Sequence, residues 1–287
     1  MNKSFSFVNF AIGSILVVFS IATFMPFYYV ILTSFSDPEL IKEGELLLWP
    51  KGFDLKAYEI ILQNDRFITA FINTINRTVL GVAINLALSL SFAYVLSKRY
   101  LPGQKLFMLY IIITMLFNGG IIPTYLIVKG TGLIDTIWAL IIPSAISTWN
   151  VILLKSFFEN VPDSMEESAK IDGANDFTIF YRIYLPLSTA SVATIGLFIG
   201  VHHWNTYMDA VIYINSPKLH VLQIFLRDMV VQLEMASVLG DMGAVAETSS
   251  LSVRTASIFL VALPVIVVYP FIQKYFVKGV MLGAVKG

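Results

Sequence analysis

Six stretches of this chain are apolar for about the 20 residues that a helix needs to cross a bilayer, and nothing else in the sequence restricts its fold as severely. They run over 11–32, 71–96, 106–128, 134–154, 187–208 and 256–272. Hydrocarbon offers no partner to an exposed backbone amide, so each stretch must satisfy its own N–H and C=O groups as a helix. Composition agrees: 57% of the 287 residues are hydrophobic and 13% are charged, about half the charge of an ordinary soluble domain. A water-soluble fold of this length has no way to hide so much apolar surface. The expected fold is an all-α integral membrane protein with six transmembrane helices.

Composition also removes several functions. A formal net charge of zero lacks the basic signature of a nucleic-acid binder. With no cysteine and three histidines, disulfides, thiolate chemistry and a Cys- or His-built metal site drop out. A single Lys3 precedes the first apolar run. That run is longer than a signal-peptide core, so it reads as a retained span. Arg77, near the start of the second stretch, is expected to snorkel to the interface. Pro143 and Pro264 are tolerable where neighbouring helices satisfy the freed carbonyls.

Lys and Arg in short loops set orientation. The hairpin after the second stretch holds Lys98, Arg99 and Lys105 with no acid, and the tail holds Lys274, Lys278 and Lys286, again with none. Both are expected on the cytoplasmic side, which puts both termini and the loop 155–186 inside. The loop 33–68, with seven acids against four bases, falls outside. Its counterpart 209–255 contains an amphipathic helix over 222–239, with Leu222, Phe225, Leu226, Met229, Val230 and Leu233 on one face. It is expected to lie on the outer surface, or to act as a lid.

The loop 155–186 reads as two short helices with a sharp break. Pro162 suits a first turn, Asp163, Glu166 and Glu167 complement the positive end of the helix dipole, and Lys170 occupies the last turn. Gly173 supplies a left-handed C-terminal residue. A second helix begins at Asn175 and Asp176, with Phe177, Phe180 and Ile183 in its apolar rows, and Pro186 is expected to disfavour helical geometry at Leu185. Composition alone fits a helix lying on the inner leaflet as well as one gripped by another protein.

Spacing separates the two. Glu167, Ser168 and Ala169, then three residues, Gly173, nine residues, and Ile183-x-Leu185-Pro186 resemble the "EAA" loop of bacterial ABC importer permeases. Ser168 stands where that pattern usually has alanine, a small-for-small change. The run 171–174, Pro162 and the tail 276–287 look like the carbohydrate (MalG-type) branch. The stretch 117–125 and the pair Trp204-Asn205 are similar to its LplC/YtcP-like subgroup.

The resemblance implies a type I importer permease fold. Residues 1–69 would form a first helix and outer loop, 70–272 a transmembrane core containing the coupling loop 155–186, and 273–287 a cytoplasmic tail. Such a chain is a transport subunit, not an enzyme. It holds no cofactor, because ATP and magnesium are bound by a partner, and it has no Walker-type glycine loop. Implied partners are a second, MalF-like permease, two ATP-binding subunits, an extracytoplasmic solute-binding protein and the lipid bilayer of a bacterial cell membrane. The ATPase-coupling residues would be Glu166, Glu167, Ser168, Ala169, Asp172, Gly173, Ile183, Leu185 and Pro186. Glu167 would pair with a basic residue of the ATPase, and Asp172 would brace the turn. Lys278 and Lys286 are candidates for contact between the ATPases.

Sugars are bound by aromatic platforms with amide, hydroxyl and carboxylate partners. Asn118, Tyr125, His202, His203, Trp204, Asn205 and Asp209 are therefore candidates for the substrate path; each could equally bond a neighbouring helix or anchor at the interface. An ion-coupled carrier or channel is the alternative, but no internal repeat or mid-membrane charge speaks for it.

Overall fold

The structure is a computed structural model that describes residues 7–41, 48–238 and 244–284, helical in nearly every part and without a strand among them. In chain order the helices are α1 (Phe7–Ser34), α2 (Lys56–Leu62), α3 (Asp65–Ser97), α4 (Gln104–Leu116), α5 (Ile121–Gly130), α6 (Thr148–Phe158) and α7 (Asp163–Ile171). After them come α8 (Asp176–Ile179), α9 (Leu185–Leu187), α10 (Thr189–Asn205), α11 (Met208–Tyr213), α12 (Leu222–Val238) and α13 (Ala244–Ala284). A π-helical turn, Phe180–Tyr184, joins α8 to α9.

Every expected apolar stretch is present, but only three are single helices: Asn9–Ser34, Asp65–Ser97 and Leu251–Phe271. The other three are bent pairs, each with a local cause. Between α4 and α5 the axis turns by 110°. There Gly120 adopts φ +89, a conformation only glycine takes freely, and its N–H is bound by Asn118 Oδ1 at 2.8 Å. A bend of 51° falls between Ile137–Ser144, which contains Pro143, and α6. An 84° bend falls at Ser188, between Asp176–Leu187 and α10. Pro264, by contrast, passes within α13 without ending it.

Contacts divide the chain into two compact units, 1–67 with 225–264 and 68–224 with 265–287. In the first, almost all of α1 is open to its surroundings, as a lipid-facing span should be; only 6% of its apolar window is buried. The segment after it folds back on an aromatic cluster. Phe35 stacks on Tyr58 at 5.0 Å and meets Phe259 edge-on at 5.9 Å, while Tyr58 donates its hydroxyl proton to Ser34 Oγ at 2.7 Å.

In the second unit, α3 and α10 pack closely because glycines line the contact. Gly196 and Gly200 stand four apart on α10, and a Cβ at either would meet only Leu86 or Val82 of α3, at 3.7 and 3.5 Å. Gly81 of α3 is tighter still: a Cβ there would fall 2.5 Å from the ring of His203. Toward one end of these helices Leu90, Leu154, Phe158, Ile179, Tyr184 and Ile195 form a continuous core.

One expectation fails here and another is refined. Arg77 does not snorkel: α3 begins at Asp65 rather than near residue 71, which leaves Arg77 about 18 Å along the helix and fully buried. The second concerns the helix over 222–239, which is anchored at its start rather than free along its length. Leu222 and Ile224 are buried, and the Leu222 N–H donates to Thr74 Oγ1 at 2.8 Å. Leu239 lies outside the described residues.

Candidate functional site

The loop between α6 and α10 is built from a nine-residue helix closed at both ends. Pro162 is extended (φ −60, ψ 131) and precedes α7, with Asp163 and Glu166 in the first turn and Lys170 in the last, the polarity a helix dipole favours. The C-terminal end is a Schellman motif. Ala174 N–H donates to Ala169 C=O at 2.9 Å, Gly173 N–H donates to Lys170 C=O at 3.1 Å, and Gly173 sits at φ +81. Ala169 and Ala174 both pack against the core, which gives the small residue at 169 and the glycine at 173 their physical reasons. Asp172 has no such part. Its side chain is exposed and makes none of these bonds, so the turn is braced by backbone alone.

The second helix also departs from its expected pattern. Asn175 caps α8 through Thr178 N–H at 2.8 Å. Ile179 is buried while Phe177, two residues before it, is exposed, and the π turn that follows carries an extra residue per turn, so that Tyr184, five residues after Ile179, is buried with it. Phe180, Ile183 and Leu185 pack partly against the core. Leu185 remains helical (φ −62, ψ −48) before Pro186. The chain absorbs the proline's missing N–H within the π turn and bends at Ser188 instead.

On α7 the two neighbouring glutamates face opposite ways. Glu167, Met165 and Ile171 are exposed, Ile171 at 86% of its surface. Glu166 is buried. Its Oε2 accepts from Lys98 Nζ at 2.5 Å and Tyr184 Oη at 2.7 Å, and its Oε1 from Lys170 Nζ at 2.7 Å. Lys98 Nζ also lies 4.1 and 4.0 Å from the ring centroids of Tyr94 and Tyr184. Burial pushes the Glu166 carboxyl up, but hydrogen bonds from Lys170, Lys98 and Tyr184 outweigh it and hold it at about 2. Burial holds Lys98 below the usual lysine value against the opposing pull of Glu166. The hydrogen bond to Glu166 raises Lys170. A cleft of about 270 Å³ opens beside this cluster, lined among others by Lys98, Arg99, Tyr100, Asp163 and Glu167.

A second charged cluster lies at the other end of α10. Arg77 Nη1 donates to Thr206 C=O at 2.6 Å and Nη2 pairs with Asp209. The guanidinium thus covers a carbonyl freed where α10 ends. Arg77 Nε and both ring nitrogens of His203 are buried without a hydrogen-bond partner among the described residues.

The substrate-path candidates divide accordingly. His202 and His203 are adjacent rings, 5.5 Å apart, but His202 is exposed while His203 packs against Gly81. Asp209 is engaged by Arg77, and Trp204 is buried edge-on to Phe71 at 6.2 Å. Asn205 is exposed and donates to Val201 C=O of its own helix. Asn118 serves the α4–α5 bend. Tyr125 stacks on Tyr213 at 6.3 Å, which brings it toward α11 but not into the histidine pair. Lys286 lies outside the described residues, and the Lys278 side chain does as well. No three His, Asp or Glu side chains converge on a metal position among the described residues.

Sequence reasoning missed Lys98, Tyr184 and Arg77 as partners. Lys98 and Arg77 pair with residues far along the chain, Tyr184 with one 18 positions away across the π turn, and the only signal for Lys98 was the absence of acids around it.

The model of one protein family, "Binding-protein-dependent transport system inner membrane component", matches residues 99–282. The polygalacturonan/rhamnogalacturonan transport system permease protein YtcP of Bacillus subtilis (strain 168) is 44% identical over 95% of this chain and 96% of its own. Protein LplC of the same organism is 40% identical over 92% of this chain and 90% of its own. Among solved structures, a bacterial ABC transporter involved in the import of the acidic polysaccharide alginate superposes with a TM-score of 0.85. It shares 33% identity and covers 96% of this chain and 100% of that one.

Proposed function

This chain belongs to the family of binding-protein-dependent transport system inner membrane components, and within that membership we propose that α7 docks on a separate ATPase to drive import of an acidic oligosaccharide. As a member it is a membrane-spanning permease subunit of an ABC importer and not an enzyme. Nothing supports the ion-coupled carrier.

The observation that carries the docking reading is the outer face of α7. A membrane protein of this kind has no reason to leave Ile171 at 86% exposure beside an unpaired Glu167 on a helix of nine residues, too short to enter lipid, unless another surface covers it. Glu167 meets a basic residue of the ATPase, and Met165 and Ile171 fill a shallow apolar groove. Gly173 and the Schellman closure keep the helix short and stiff. ATP and magnesium stay on the two ATPases; when these close, the helix is displaced and the spans follow. A second permease and an extracytoplasmic binding protein complete the assembly. The acid-free Lys98–Lys105 hairpin and tail support a cytoplasmic position for α7 and both termini, with Lys278 and Lys286 near the ATPases.

Support for an acidic cargo comes from the relatives, one named for polygalacturonan and rhamnogalacturonan and one for alginate. On this chain His202 and Asn205, which are exposed, and the Tyr125 ring, stacked on Tyr213, are the groups proposed to meet it.

The absence of cysteine makes the test direct. Ile171→Cys, expressed with its permease and ATPase partners, is expected to crosslink to single cysteines on the ATPase with a yield that changes with ATP. Failure at every position of the ATPase surface, with the proteins inserted and stable, removes the docking reading. Uptake of trigalacturonate in preference to maltotriose supports the acidic cargo, and the reverse preference removes it.

A further inference from the structure

Of the two glutamates side by side on α7, one has been left without a role by docking. Glu167 faces out, but Glu166 is turned into the protein and bonded to three groups from three places in the chain. Lys98 is the first residue after α3, the second span. Tyr184 ends the π turn that leads into α9 and α10, the fifth span. Lys170 belongs to α7 itself. One carboxylate therefore ties the exposed helix to the ends of two spans at once.

Apart from Lys170, whose Nζ also lies 4.7 Å from the centroid of the exposed Tyr100 ring, α7 meets the core through apolar contact, chiefly at Ala169. Apolar contact is non-directional and lets a short helix slide. Charge-assisted hydrogen bonds made out of water are directional, and breaking one leaves an uncompensated buried charge. With Glu166 in place, α7 moves together with the ends of the second and fifth spans. Without it, α7 can shift on its greasy seat and leave the spans behind.

Resting on the reading of α7 as the ATPase-docking helix, we infer that Glu166 is a positioning residue that carries displacement of α7 into the second and fifth spans through Lys98 and Tyr184. Glu167 and Ile171 receive the push, and Glu166 transmits it.

Two reporters separate the steps. Ile171→Cys crosslinking to the ATPase reads docking, and labelling of Met208→Cys by a membrane-impermeant maleimide reads the far end of the fifth span. Both are measured with and without ATP in the assembled transporter. Glu166→Gln is expected to keep the crosslink within twofold while reducing the ATP-dependent change in labelling at least tenfold. The exchange Lys98→Glu and Lys170→Glu with Glu166→Lys restores at least half of that change, because both ion pairs are re-formed with their signs reversed. A labelling response within twofold of the unsubstituted background overturns the inference. So does an equal loss of crosslink and labelling that the exchange does not recover, since Glu166 would then only hold the fold. Loss of the crosslink already in the unsubstituted background is a failure of docking itself, and is recognised as such.

Discussion

The two buried charge clusters of the second unit look alike in composition and differ in completeness. At the one beside α7, Glu166 has both oxygens occupied by Lys98, Tyr184 and Lys170. At the one around Arg77, the guanidinium satisfies Asp209 and Thr206, but among the described residues its Nε and both ring nitrogens of His203 have no partner. The α7 cluster borders a cleft and supports an exposed helix. The Arg77 cluster is buried between helices, where an unmet polar group is costly. A saturated cluster makes a rigid joint. An unsaturated one leaves room for other arrangements of the same groups.

The comparison breaks most visibly at Arg77. Arg77→Met strands Asp209 and is expected to destabilise the chain by about 3–5 kcal/mol, read as a lower melting temperature in detergent. Arg77→Met with Asp209→Leu is expected to recover most of the loss, because it is the orphaned charge and not the missing bond that is costly.

Acid tests the cluster around Glu166. A carboxyl held at about 2 against 4.5 when free stabilises the fold fully above pH 4.5, and the contribution disappears as pH falls toward 2. Melting of the solubilised chain should decline through that window, and the slope should flatten in Glu166→Gln. An unchanged slope would mean the carboxylate is not held as the geometry indicates.

Gly81→Ala probes whether the room around His203 is fixed. With a Cβ placed 2.5 Å from the ring, overpacking of about 1–3 kcal/mol is expected. Adding His203→Ala should relieve it, with a coupling of about 1 kcal/mol or more in the double-mutant cycle.

A Cβ at Gly173 would meet nothing within 4 Å, so the cost of Gly173→Val is chiefly backbone strain, about 1–2 kcal/mol at φ +81. The chain should insert normally while the ATP-dependent crosslink from Ile171→Cys is lost. The smallest effect is reserved for an ion pair that belongs to neither cluster. Lys155 and Glu159, at 2.6 Å one turn apart on the rim of α6, should contribute about 0.3–0.5 kcal/mol, and Lys155→Ala measures the background against which the buried pairs are judged.

Much of the coupling loop was legible because it is local. Pro162, Lys170 and Gly173 mark the ends of α7 through rules that act within one turn of a helix, and the structure follows them. Asp172 and Phe177 were misjudged for the same reason. A propensity for side-chain capping loses where the Schellman bonds already satisfy the backbone, and the buried row runs through Ile179 and Tyr184, five residues apart across a π turn that no composition announces. Asn118, a substrate-path candidate by residue type, also accepts from Gly120 N–H at a bend that residue type does not announce.

By itself the sequence determined the solvent, the six apolar stretches, the fixed spacing of the inner loop and, through it, the family. These depend on residue type and distance along the chain, and hydrocarbon enforces them segment by segment. Only the tertiary structure decided which of Glu166 and Glu167 faces inward, that Lys98 is also the partner of Glu166, and that Arg77 is buried against Asp209. These pairings join residues 68 and 132 positions apart. Such contacts exist only after the helices have packed, since the rotation of each helix about its axis is set by the glycines and aromatic rings of its neighbours.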